Sequence, residues 1–149
     1  MSARRGAAIV CGILAVVIAL VPLARGEAEI PIGTHHLYHA AAIACAALCG
    51  VLVAPTLAAT NVEHPAWLVA AIGAPLGAML LMWPSEYAWL DRHPAGHVVE
   101  HLGLAVLGFL TTYGGQRYAR GIGWAAGGLL VAMAILAAFG FGVAPPPTA

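Results

Sequence analysis

The sequence predicts an all-α integral membrane protein, a bundle of about five transmembrane helices, and three observations carry that expectation. The chain of 149 residues is 62% hydrophobic and only 8% charged. Soluble globular proteins carry about 25% charged residues, so a water-facing surface cannot be built from this composition. The apolar residues also run in long blocks, matching the roughly 20 residues of helix that a bilayer core requires. Prolines fall at or near the block ends, where a helix tolerates them. A membrane β-barrel would instead need segments of about ten residues with alternating polarity, which the sequence does not contain.

The first block, 6–24, follows Arg4 and Arg5. Its arginines, apolar run and the small residues Ala24 and Gly26 also fit a cleavable secretory signal, although the run is longer than most signal cores. Cleavage would leave four spans. The second block, 35–59, opens on "THHLYH", with Thr34 as the expected N-cap. The third, 66–83, carries Pro75 in its middle, which predicts a kink. Gly73 and Gly77 within it have the Gly-x-x-x-Gly spacing that lets helices approach. The fourth block, 95–113, has Pro94 in its first turn, a position proline favours. The fifth covers 121–142, and the proline-rich end 143–149 is expected to be a disordered tail. Together, 1–149 form a single transmembrane domain.

All six basic residues are arginines. Arg4, Arg5, Arg117 and Arg120 fall on one side of the alternating spans, and Arg25 and Arg92 on the other. The positive-inside rule then places the N-terminus in the cytoplasm of a bacterial inner (plasma) membrane. Trp83, Tyr87 and Trp89 mark the outer interface, and Trp67, Tyr113, Tyr118 and Trp124 the inner one. Scattered arginines make no nucleic-acid surface. The partner this composition names is the lipid bilayer. Cys11, Cys45 and Cys49 lie inside apolar spans, offer no disulfide framework, and read as small packing residues.

Seven histidines stand out in so apolar a chain. His35, His36 and His39 open the second span. His93, His97 and His101 open the fourth. His64 lies alone in an inner loop. Because both spans start on the same side, the two clusters reach one membrane boundary and can share a site. At 100° per residue, His93, His97, Glu100 and His101 fall within an arc of about 100°. His35 and His39 form a second i, i+4 pair, with His36 displaced around the helix. Ring nitrogens at that spacing can share one metal ion. Glu100 lies below the boundary, where an isolated carboxylate costs about 2.5–3.5 kcal/mol or more, so it is expected to face the bundle.

The expected metal ligands are therefore His35, His39, His97, Glu100 and His101. His36, His93, Met79 and Met82 are weaker candidates, the thioethers suiting copper(I). In a soluble protein "HVVEH" (97–101) would suggest a zinc peptidase with a glutamate base. Here no oxyanion stabiliser or substrate cleft accompanies it, and no enzymatic activity is expected. Two alternatives to a metal site remain. Histidines from two spans can hold haem in an electron-transfer subunit, with Gly103 and Gly108 allowing close approach. The chain can also be a structural accessory subunit of a membrane complex.

The two motifs "HHLYH" and "HVVEH", each opening a span, resemble the CtaG family of membrane proteins, associated with copper insertion into cytochrome c oxidase, and related small histidine-bearing membrane proteins. The resemblance covers roughly 34–113, and this chain is about two spans shorter than usual members. It implies that His35 and His39, with His97, Glu100 and His101, handle copper at the outer face. The implied role is that of a metallochaperone in respiratory oxidase assembly, with the oxidase or another membrane subunit as partner.

Overall fold

The computed structural model describes residues 3–25, 30–54 and 64–139. The tail, Gly26, and the ends of the second and fifth expected spans (55–59 and 140–142) lie outside the described residues. Six helices follow one another: α1 (Ala3–Arg25), α2 (Ile32–Val53), α3 (Pro65–Leu81), α4 (Pro84–Asp91), α5 (Pro94–Tyr118) and α6 (Arg120–Ala138). Four segments are long and apolar enough to cross a membrane: Ala3–Ala24, Gly33–Val53, Ala95–Tyr118 and Gly121–Ala138. The chain is an all-α membrane bundle. The third expected span is present as α3, a shorter apolar helix of 17 residues with Pro75 inside it.

Proline sets most of the boundaries. Steric conflict with its ring pushes the preceding residue out of the helical region. Ala54 (φ −56°, ψ 132°) accordingly ends α2 ahead of Pro55. His64, Trp83 and His93 are extended ahead of Pro65, Pro84 and Pro94, which begin α3, α4 and α5. Two local expectations change. Thr34 is not the cap of α2; the helix already begins at Ile32, with Pro31 in the cap position. The stretch between the third and fourth spans is also not simply a loop, because Pro84 opens the additional helix α4.

A third correction concerns the link between the last two spans. α5 runs on to Tyr118 and α6 starts at Arg120, so Ala119 alone joins them. Gly115 and Gly123 make this reversal possible: a Cβ on Gly115 would collide with the Gly123 backbone. Arg117, expected in a loop, sits in the last turn of α5 with its guanidinium 5.1 Å from the centre of the Trp67 ring. A cation over an indole face is attracted by the ring quadrupole.

The bundle interior is built from small residues. Ala15 of α1, Ala46 of α2 and Ala105 of α5 form one cluster, with Cys45 and Phe109 packed against it. Ala40, Ile43, Ala78, Leu104, Leu130 and Ala134 form another. Large apolar side chains such as Ile13, Val69, Leu80 and Leu129 face outward. This distribution suits a bilayer, where lipid tails solvate large apolar groups and close packing of small residues holds helices together. α2 and α5 cross where Gly108 meets the backbone of Ile43, a Cβ there lying 3.1 Å from the Ile43 oxygen. Thr112 donates to the Ala47 carbonyl across the same interface at 2.7 Å.

α1 is locked to α2 at its opposite end from the histidines. The Arg4 guanidinium donates to the carbonyls of Leu52 (2.7 Å), Val51 (3.1 Å) and Ala54. These are among the last carbonyls of a helix, which have no partner within it.

Candidate metal centre

α2 and α5 begin at the same end of the bundle, and each brings its first two turns to a common point. A Cβ on Gly33, near the start of α2, would lie 3.0 Å from the oxygen of Ala138 at the end of α6. Gly103 of α5 meets Leu81 at the end of α3. The spans therefore alternate in direction, as the placement of the histidine clusters required.

All six polar side chains of the two clusters' inner turns are buried: His35, His36, His39, His97, Glu100 and His101. Glu100 has no exposed surface at all. His101 is the hub. Its Nε2 lies 2.7 Å from His97 Nε2 and 3.1 Å from His39 Nε2. His35 closes the group, with its ring centroid 4.9 Å from that of His101, 5.3 Å from His97 and 4.6 Å from His39. One ligand nitrogen from each of His35, His97 and His101 can be chosen so that all three lie within 4.8 Å of one another. His36 sits at the margin, its ring 6.0 Å from His35 and 5.8 Å from His39.

These distances suit a small cation. Nitrogens bound to a tetrahedral ion at about 2.05 Å lie roughly 3.3 Å apart. The His101–His39 and His101–His97 spacings already approach that edge length, and an inward shift of His35, within 4.8 Å of the His97 and His101 nitrogens, would bring a fourth nitrogen to the group. The proton inventory points the same way. One imidazole nitrogen carries either a proton or a lone pair, so His101 Nε2 must play one role toward both neighbours. A cation among the rings allows every facing nitrogen to present its lone pair. Glu100, on the same face of α5, adds a carboxylate that balances one unit of cationic charge.

The remaining candidates lie elsewhere. His93 is exposed; its Nδ1 donates to the Trp89 carbonyl at 2.8 Å and its ring lies 4.5 Å from that indole, so it ties α4 to the start of α5. Met79 is exposed on α3. Met82 packs against the apolar layer beneath the histidines, formed by Ala40, Ile43 and Leu104 among others. His64 caps α3, its Nδ1 accepting from the Ala66 N–H at 3.2 Å.

One contributor is absent from the sequence reading. α1 passes beside the centre, with Ala19 and Pro22 buried in its final turns. The Ala19 backbone lies beside the His101 ring. Pro22 looked like a block-end proline; it lies inside α1. Only the position of α1 against α5 reveals that its backbone faces a histidine.

The fold and this centre define the class: a small helical membrane bundle with a buried polyhistidine centre at one end. No family model matches the chain, and neither a curated protein nor a solved structure matches it.

Proposed function

We propose that this protein carries a transition-metal ion, copper foremost, at His35, His39, His97 and His101 with Glu100, and passes it to a membrane partner such as a respiratory oxidase. The observation that carries the reading is the contact of the His39 and His97 Nε2 atoms with that of His101 among buried side chains. Copper is favoured over zinc because divalent affinity at nitrogen sites peaks at copper. Haem fits less well. A porphyrin between two axial imidazoles would part rings whose nitrogens here stand 2.7 and 3.1 Å apart.

Delivery, rather than storage or catalysis, agrees with the ligand set. The centre holds five imidazoles, more than a four-coordinate ion uses. An ion can exchange one ring for another without losing its shell. The resemblance of "HHLYH" and "HVVEH" to the oxidase copper-assembly family supports the same role, with the centre at the outer face.

Titration of the purified chain with copper tests the proposal. One tightly held equivalent of copper(II) is expected, and it should vanish in a His39→Ala, His97→Ala, His101→Ala variant that retains its helicity. Unchanged stoichiometry in that variant would overturn the assignment. A Soret band in protein taken from native membranes would favour haem instead.

A further inference from the structure

The end of the bundle opposite the histidines holds a cleft of about 400 Å³ between the start of α1 and the end of α2. Arg4, Arg5, Ala8 and Ile9 line it from α1, and Leu52 and Val53 from α2. That volume lies within the range of about 300–1,000 Å³ typical of small-molecule sites. No acidic side chain lines it among the described residues. The two arginines play different parts. Arg4 donates through Nε to the Leu52 carbonyl and through Nη2 to those of Val51 and Ala54, so its charge offsets the negative end of the α2 dipole. Arg5, about 100° further round the helix, is exposed and makes no hydrogen bond or ion pair among the described residues. α1 adds the positive end of its own dipole at this level, with no acidic residue in its first turn. Ile9 stands one turn deeper than Arg5 on the same side of α1, and both Ile9 and Val53 are exposed. The cleft thus sets one uncompensated positive charge above an apolar floor.

We propose that this cleft seats the headgroup of an anionic phospholipid, its phosphate paired with Arg5 and the first carbons of its chains against Ile9 and Val53. A phosphodiester offers two acceptor oxygens, and a guanidinium presents the parallel N–H donors that match them. Basic pockets between transmembrane helices select anionic headgroups in the same way. Net charge sorts the lipids. A singly anionic headgroup such as phosphatidylglycerol neutralises Arg5, whereas a zwitterionic one brings its own ammonium to a place that already holds two guanidinium groups. The apolar floor sorts lipid from free phosphate, which would leave Ile9 and Val53 uncovered. Because the cleft joins α1 to α2, a bound lipid ties the two helices together and stabilises the folded chain. The site is independent of the metal centre at the other end and of the direction in which the bundle faces.

Thermal unfolding of the full-length protein in neutral detergent, with added phosphatidylglycerol, phosphatidylcholine or glycerol phosphate, is the test. Phosphatidylglycerol is expected to raise the midpoint saturably, phosphatidylcholine much less, and glycerol phosphate not at all. In Arg5→Gln the phosphatidylglycerol concentration that gives half of the rise should increase about fivefold, which is what one arginine near an anionic surface contributes. Arg5 is exposed, so this variant loses no packing, and Arg5→Lys should recover most of the response. Arg117→Gln removes the same charge at the same end, from over the Trp67 ring rather than from the cleft, and should leave the response unchanged. Equal weakening in Arg5→Gln and Arg117→Gln would reduce the effect to net charge and overturn the proposal. A response to phosphatidylcholine or to glycerol phosphate as large as that to phosphatidylglycerol would overturn it as well.

Discussion

Glu100 is the residue on which the centre's electrostatics turn. A carboxylate without exposed surface, set among imidazoles at membrane depth, is costly unless a proton or a cation balances it. Its position three residues after His97 and one before His101 keeps it on the ligand face of α5 without displacing a ring. Replacing Glu100 by Gln preserves shape and removes the charge. Copper(II) affinity is expected to fall by about 10–100-fold, the range that supporting groups of metal sites command. Equal affinity in Glu100→Gln and parent protein, measured by competition titration, would remove Glu100 from the site. Much of this was readable from the letters alone. An i, i+4 histidine pair with an acid at i+3 fixes a shared helix face by geometry. The departure of His93 was not readable, because the Trp89 carbonyl that takes its ring proton belongs to a helix that only Pro84 and tertiary packing create.

At the scale of elements, the histidines meet because α2 and α5 approach closely, and glycine permits this. A Cβ on Gly50 would stand 2.6 Å from the Phe109 oxygen and 3.0 Å from the Tyr113 nitrogen, backbone atoms that cannot step aside. Gly73, one half of the Gly-x-x-x-Gly pair on α3, has nothing within 4 Å of such an atom, and Gly77 meets only the flexible end of Leu107. Of the two glycines, Gly73 takes no part in helix packing, and Gly77 touches α5 only through the Leu107 side chain. Spacing records which residues share a face, but not which faces find a partner. Gly50→Ala is expected to destabilise the protein by about 1–3 kcal/mol, the usual cost of overpacking, and to weaken copper binding by parting the two histidine-bearing helices. Gly73→Ala should leave both unchanged or stabilise α3 slightly, through alanine's higher helix propensity. Thermal unfolding in detergent with metal titration of each variant separates these outcomes. The close turn from α5 into α6 belongs with the same lesson. Gly115 and Gly123 are eight residues apart, and hydropathy has no means of showing that their backbones touch.

For the whole molecule, the arginines divide between the two ends of the bundle, and the positive-inside rule turns that division into an expectation of which way it faces. The histidine end holds Arg25, the last residue of α1, and Arg92, which closes α4. The opposite end holds Arg4, Arg5, Arg117 and Arg120. Retention of arginine on the cytoplasmic side would place the histidine cluster at the outer face. The packing reinforces the asymmetry. Arg4 spans three carbonyls at the end of α2, and Arg117 lies over Trp67, so at least two of the four charges at that end are built into the fold. Exposed Trp83 and Trp89 mark the other boundary. Ser85, exposed at the start of α4, is a site for a single new thiol that disturbs no packed surface. In a background with Cys11, Cys45 and Cys49 changed to alanine, Ser85→Cys should react with a membrane-impermeant maleimide added to intact cells whose outer barrier has been opened. Labelling that appears only after the inner membrane is permeabilised would invert the topology and place the histidine centre on the cytoplasmic side.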